Sequence, residues 1–468
     1  MLTSFTNHVR NHVSDHSLPL CIIFYFSFLQ TTQFDPDEFY QTLEPSLHLL
    51  SRPSHLTWEW SSAFNLRSTL NLLPYSLSYA LGLNLIGVKL LNALQAYAIY
   101  LLTLSLSISH LSTKDKNTDT NNTEYRCRQL LISTNWFFLY SCNRSTSNNV
   151  ETILTTLVVL MTLRKSSPIL TCLIMSLAIS IRFTSVLIFL PLHLLHFPPL
   201  SKLPLYILSS LTFLLLFHSF DCIIKSLPLT TLPSFLNNIT FNVLLNKSNL
   251  YGTHPFYWYF TEGILTVFAF YIPYINLKGR FNLIILVYVG ILSAAAHKEL
   301  RFLTPILPMV LSEMGVPGLR VFRGVVFCNL GAAIFFNFAW QSGGVLGVKS
   351  LRVGEGGRVY LMTECHQTPS YSHLGGREFL EVKGLDCGPE CRERGDCESW
   401  KFMDDKVETL RGETFEEGWV VYQFENEEEE IEGGKVLEGK GGTFRNKFWR
   451  NRYESISGGE GFSVYQMN

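Results

Sequence analysis

The sequence predicts an α-helical, multi-spanning membrane protein that ends in a small polar domain, and three observations carry this prediction. Only 16% of the 468 residues are charged, whereas 47% are hydrophobic and 35 are Phe; soluble domains average about 25% charged. Apolar runs of roughly 15–23 residues recur as far as Trp340, close to what a helix rising about 1.5 Å per residue needs to cross about 30 Å of hydrocarbon. Beyond Ser342 the composition turns polar and takes about two thirds of the 31 glycines, so the mean hydropathy of +0.18 averages two unlike parts. A formal charge of −1 offers no global field for nucleic acid. Ten cysteines in so long a chain are no disulfide scaffold.

Spans are expected near 17–33, 88–110, 129–142, 150–163, 168–181, 184–199, 203–219, 260–276, 281–296, 302–316 and 324–340, about eleven in all. The first follows only Arg10 and lacks a small-residue cleavage site, so it reads as a retained span rather than a signal peptide. Lys and Arg in short loops favour the cytoplasmic side. With a cytoplasmic N-terminus, alternation sets Lys114, Lys116, Arg126, Arg128, Arg164, Lys165, Lys202, Lys278, Arg280, Arg320 and Arg323 on that side. Segments 34–87, 143–149, 220–259, 297–301 and the tail then face the lumen. Residues 1–341 are expected to form a multi-span catalytic domain and 342–468 a lumenal C-terminal domain.

In the tail, short alternating runs such as Arg358-Val359-Tyr360-Leu361-Met362 and Trp419-Val420-Val421-Tyr422-Gln423-Phe424 predict a small α+β or β-rich fold. Cys365, Cys387, Cys391 and Cys397 suit up to two disulfides in an oxidising lumen, with the pairing undetermined, better than zinc. Glu427-Glu428-Glu429-Glu430 reads as a solvated acidic loop. Sequons stand at Asn121, Asn143, Asn238 and Asn246, the first on the cytoplasmic side and so expected to stay unmodified.

Chemistry concentrates in the loops. Asp35, Asp37, Glu38 and Glu44 place four acids within ten residues beside a span and amid aromatics. A carboxylate there is suited to taking a proton from a sugar hydroxyl as it attacks an activated carbon; the same acids also suit a solvated loop that caps the next helix. Farther along come Trp58-Glu59-Trp60 and Arg67-Ser68. Indole faces stack on sugar rings and Arg grips phosphate or carboxylate, although interfacial anchoring explains the Trp pair as well. His297-Lys298-Glu299-Leu300-Arg301 sets two bases on the side opposite to the orientation rule, which marks either function or snorkelling at a helix end. His254-Pro255 with Tyr257-Trp258-Tyr259 suits a substrate channel or an aromatic belt.

In this order, the acidic loop, the Leu56–Trp60 segment with Arg67-Ser68, the Phe241–Tyr259 stretch and Ala296–Phe302 resemble the hallmarks of the endoplasmic-reticulum mannosyltransferases that use dolichyl-phosphate mannose, a GT-C type family. Asp35 stands where that family often has His, and the Asp37-Glu38 pair is intact. The resemblance implies Asp37 as general base with Glu38 orienting it or contacting substrate. It implies His297, Lys298 and Arg301 at the donor phosphate, where cations stabilise charge developing on the leaving group. It assigns Trp58, Glu59, Arg67, His254 and Trp258 to substrate, with Asn149-Val150-Glu151-Thr152 and Arg182-Phe183-Thr184 in support. The tail segment Tyr360–His373, with Phe448-Trp449-Arg450 and Val464-Tyr465 near the end, resembles the branch of the family that acts on GPI-anchor precursors. Glu364 and Gln367 depart from that branch's usual Pro and Ser.

The implied reaction is transfer of the third mannose, in α1,2 linkage, from dolichyl-phosphate mannose to the GPI precursor in the ER lumen, by single-displacement inversion. It calls for no cofactor and no metal-binding acid pair, and it leaves dependence on a divalent ion open; the partners are the glycolipid acceptor, the dolichyl donor and ER lipids, with no nucleic acid. Alternatives are transfer to the dolichol-linked N-glycan precursor, addition of the fourth GPI mannose, or, in another class, a transporter or scramblase.

Overall fold

The computed structural model describes residues 16–111, 118–196, 198–353, 357–374, 381–385, 388–450 and 460–467. Arg10, Lys114, Lys116, Cys387 and the side chains of Asn121 and Trp449 lie outside the described residues. Two compact units emerge: one comprises Met1–Leu29, Ser68–Leu70 and Lys89–Ala333, the other Gln30–Arg67, Asn71–Val88 and Ile334–Asn468.

The first unit is helical. Among the described residues three helices are long and apolar enough to cross a membrane, at Asn84–Ile108, Leu200–Lys225 and Leu319–Phe338. Ser17–Leu29, Pro168–Ile181, Phe183–Leu195 and Asn282–Ala294 are shorter apolar helices. Several of the expected apolar runs are interrupted, and the interruptions have local causes. The run at 129–142 breaks at Asn135, whose carboxamide leaves the helix to accept a 2.7 Å bond from Phe138 N and start a new one at Trp136–Ser141, as N-caps do. The run at 260–276 divides into a π-turn at Tyr259–Gly263, an α-helix at Ile264–Phe268 and a 3-10 helix at Ala269–Tyr274 that contains Pro273. Pro305 likewise confines Leu300–Ile306 to 3-10 geometry before the α-helix Leu307–Glu313, because proline supplies no N–H to an α-helical ladder.

Two buried carboxylates of this unit, Asp221 and Glu313, are paired. Asp221 accepts from Thr69 N at 2.8 Å and Thr69 Oγ1 at 2.6 Å. Glu313 accepts from Arg280 N at 3.1 Å and pairs with the Arg280 guanidinium at 3.2 Å. Asn143, one of the sequons, is fully buried as a donor to Leu139 O, so this fold gives a glycan no access to it.

The second unit holds a five-stranded sheet in the order β2-β1-β3-β5-β4, formed by β1 (Arg358–Met362), β2 (Glu381–Gly384), β3 (Gly418–Phe424), β4 (Gly442–Trp449) and β5 (Gly461–Met467). β1 runs parallel to β2 and β3, while β5 is antiparallel to β3 and β4. Period-two alternation sorts the side chains. Val359, Leu361, Val421 and Phe462 join Val348 and Leu374 on one face; Tyr360, Met362, Val420, Tyr422, Phe424 and Tyr465 join Phe402, Leu410 and Leu437 on the other. Each fully buried side chain of this size contributes about 1.5–3 kcal/mol. Helices cover both faces, so the tail is the mixed α and β alternative and not the β-rich one.

The acidic run is not a loop. It forms the first turn of the helix Glu427–Gly439, capped by Asn426 Oδ1 accepting from Glu429 N at 2.9 Å, where carboxylates favour the helix dipole. Glu429 reaches Lys406 at 3.3 Å and Glu430 pairs with Lys447. Cys391 and Cys397 are disulfide-bonded, with Cα atoms 4.7 Å apart, and Cys365 is also in a disulfide.

Candidate active site

The acidic loop belongs to the second unit. Asp35 Oδ1 accepts from Asp37 N at 2.9 Å and Asp35 O from Glu38 N at 3.2 Å, so Asp35 builds the turn. Glu38 is buried and its carboxylate accepts from Phe34 N at 3.2 Å, whereas Asp37 is half-buried at the turn's rim. Phe39–Leu43 continue as a π-turn that leads into the α-helix Glu44–His48, an insertion often found at functional sites.

This helix meets the loop after β1, Thr363–His373. Tyr40 Oη donates to Thr368 O at 2.9 Å, and its ring lies 4.3 Å from that of His366 and 5.6 Å from that of His55. Glu44 is fully buried and accepts from His55 N at 3.0 Å and Ser372 N at 2.8 Å. Burial pushes the Glu44 carboxyl up to about 7 even though these amides oppose it. Burial, reinforced by His55 and Arg392, depresses the His366 imidazole to about 3, and burial depresses His55 as well. Both rings are therefore neutral at physiological pH. His366 has φ +61°, a conformation that costs a non-glycine residue of order 1–3 kcal/mol and persists only where its surroundings enforce it.

Two hydrogen bonds tie the Trp58–Trp60 turn to the same helix: Gln41 Nε2 donates to Glu59 Oε2 at 3.2 Å and Trp60 Nε1 to Tyr40 O at 3.3 Å. Arg67 grips Glu59 through two nitrogens, at 2.8 and 3.3 Å. Trp58 stands half-buried, edge-on to Phe64 at 5.0 Å. The second unit thus brings Asp37, Glu38, Trp58, Glu59 and Arg67 into one local assembly.

The remaining predicted residues meet in the first unit. Glu299 pairs with Arg301, and His297 Nε2 reaches its other oxygen at 2.9 Å. Burial by itself would raise the Glu299 carboxyl; Arg301 and His297 outweigh it and hold it below the ordinary range. Lys298 is 2% exposed and donates to His254 O at 3.1 Å and to Ala295 O, so one donor fastens the 251–259 loop to this turn and a second closes the turn on itself. His254 N returns a 2.9 Å bond to Ala296 O. Trp258 is buried 4.8 Å from the exposed His254 ring. Asn148 Nδ2 donates to Arg301 O at 3.2 Å. Next to it, Glu151 accepts from Thr184 at 2.6 Å and pairs with Arg182 at 2.9 Å, while Arg182 lies over the Phe302 ring at 5.6 Å.

Sequence reasoning assigned no role to Tyr40, Glu44, His55, His366 or Glu299. Glu44 and His366 stand inside these motifs, but Glu44 meets His55 and Ser372 at 11 and 328 residues and His366 meets Gln33 at 333, separations that spacing does not reveal. Among the described residues no group of three or more His, Cys, Asp or Glu side chains is placed to hold a metal ion.

The sequence profile of the Alg9-like mannosyltransferase family matches residues 17–375. GPI alpha-1,2-mannosyltransferase 3 from Homo sapiens is 28% identical over 398 residues, covering 78% of this chain and 70% of that protein. The protein of the same name from Danio rerio is 29% identical over 421 residues, covering 79% and 73%, and GPI mannosyltransferase 3 from Candida albicans is 29% identical, covering 74% of each. The overall fold is similar to the crystal structure of ArnT from Cupriavidus metallidurans bound to undecaprenyl phosphate, with a TM-score of 0.55 at 8% identity over 97% of this chain and 98% of that one.

Proposed function

Since the chain belongs to the Alg9-like mannosyltransferase family, we propose that it transfers the third mannose, in α1,2 linkage, from dolichyl-phosphate mannose to the GPI-anchor precursor at the lumenal face of the ER membrane. Kinship with proteins named GPI alpha-1,2-mannosyltransferase 3 supports the acceptor. A fold similar to ArnT, whose crystal structure holds undecaprenyl phosphate, supports a polyprenyl-phosphate donor.

The observation that carries the reading is the division of labour between Asp37 and Glu38. Glu38 is buried and its carboxylate accepts from Phe34 N, whereas Asp37 is half-buried at the rim, the position that suits the acceptor of a proton. In the reaction, an acceptor hydroxyl oxygen forms the new bond to mannose C1 and passes its proton to Asp37 as the C1–O bond to phosphate breaks, and dolichyl phosphate leaves with the electron pair. Attack opposite the leaving group inverts the β-linked donor to an α-linked product in one step. His297 and Arg301 supply positive charge for the phosphate; Lys298 shapes their loop and offers its remaining donor. Holding two lipid-linked substrates in register supplies much of the acceleration, and electrostatics at the leaving phosphate adds to it. As written, the chemistry draws on no cofactor.

The test is complementation of cells lacking GPI alpha-1,2-mannosyltransferase 3. Wild type is expected to restore surface GPI-anchored proteins and to clear the two-mannose precursor. A correctly located wild type that leaves this precursor in place refutes the acceptor assignment, and N-glycan precursors become the lipid to analyse.

A further inference from the structure

The loop after β1 has no role in the chemistry above, yet it leaves the sheet at a place suited to ligands. β1 lies between β2 and β3 and runs parallel to both, so three carboxyl ends share one edge. The chain passes from β1 to β2 on one side and then crosses to β3 on the other, which makes that edge a topological switch point, where open parallel sheets bind their ligands. Thr363–His373 begin at this edge. Glu364 N donates to Gln423 Oε1, near the end of β3, at 2.7 Å.

The loop is braced on several sides. Cys365 is in a disulfide, Arg392 Nη2 lies 3.6 Å from its sulfur, Gln367 Nε2 donates to Glu364 at 3.0 Å and Gln33 Nε2 donates to His366 O at 3.2 Å. These contacts hold His366 in a left-handed conformation. The product of the bracing is an aromatic group: the His366 ring is 4.3 Å from Tyr40 and 6.4 Å from His55, and Tyr40 lies three residues after Asp37. Tyr40 is buried beneath, whereas both imidazoles are only partly covered. Flat faces stack on the C–H faces of sugars, and such stacking leaves the contact of His366 Nδ1 with Cys365 Sγ at 3.4 Å in place.

We propose that His55 and His366, seated on Tyr40, form the surface that contacts the mannose units of the acceptor and selects the glycan presented to Asp37. This rests on the functional reading above and deepens it. The charged donor phosphate has no cation in this pair to attract it, whereas the hydroxyl-rich acceptor matches its polarity.

The test measures apparent KM for both substrates with solubilised full-length protein, using dolichyl-phosphate mannose and a synthetic two-mannose GPI glycolipid. His55→Ala, His366→Ala and His366→Asn are compared at matched amounts of monodisperse protein. Asn tolerates the left-handed backbone and removes only the ring. All three are expected to raise acceptor KM roughly 3–10-fold, with donor KM within about twofold of wild type. Wild-type acceptor KM in His366→Asn overturns the proposal, since the backbone alone then matters; so does a change confined to donor KM. If either Ala variant fails to fold, His366→Asn decides. Wild type that transfers no mannose refutes the functional reading and this proposal with it, whereas active wild type with unchanged variants refutes this proposal alone.

Discussion

The acidic loop and the His297–Arg301 turn are both charge-rich, but they neutralise charge differently. In the loop, Asp35, Glu38 and Glu44 all accept from backbone amides. In the turn, Glu299 pairs with the Arg301 guanidinium, and His297 Nε2 reaches its other oxygen. Amides fix a carboxylate while adding no net charge to compete for its proton. An ion pair instead keeps Glu299 ionised and leaves the turn with a net positive balance. One arrangement suits a base, the other an anion site.

The sharpest way to break this comparison is Asp37→Asn. Transfer should fall by about 10²–10⁴-fold, the scale of general-base catalysis, with the protein still in its membrane; mannose transfer by matched microsomes measures it, and full activity would remove Asp37 from the base role. Arg301→Gln comes next, with a loss of roughly 10–100-fold in kcat as an electrostatic partner of the phosphate disappears. Single-turnover kinetics would locate the loss in chemistry, and an unchanged kcat would reduce the turn to a structural element.

Glu44 tests the amide-held class through pH. Its carboxyl is raised in the folded protein from the ordinary 4.5 to about 7, so its contribution to stability is fully present below about 4.5 and is lost as pH rises through 7, on the order of a few kcal/mol. Glu44→Gln should flatten the stability profile between these limits; thermal unfolding in detergent from pH 4.5 to 7.5 reads it, and a wild-type slope in the variant would assign the dependence elsewhere. Lys298→Met should have the smallest effect. Its ammonium bonds carbonyls, so a loss of about 1–3 kcal/mol is expected in unfolding, with donor KM raised less than by Arg301→Gln; the reverse order would make Lys298 the principal phosphate ligand.

The residues of the candidate site were conspicuous in the sequence because charge stands out in a membrane protein. The Asp37-Glu38 pair, the His297–Arg301 turn and the Trp58–Arg67 segment each stand out as clusters of polar groups beside apolar runs. Helix continuity was less legible. Asn135, Pro273 and Pro305 interrupt runs whose hydropathy alone reads as unbroken, since hydropathy measures transfer of side chains and is blind to a missing N–H or a competing cap. The Glu427–Glu430 run misled in the opposite direction: four acids repel as an isolated segment, but an Asn cap and the lysines at 406 and 447 make them a helix start.

By itself the sequence determined the class of environment, the family and the identity of the charged clusters, because hydrophobic run length, composition and local motifs are properties of neighbouring residues. Only the tertiary structure decided that Glu44 reaches Ser372, that Tyr40 lies under His366, and that Lys298 ties down the loop of His254. Those contacts join segments 44 to 328 residues apart, and which distant groups share a buried space is set by packing the whole chain into one minimum of free energy.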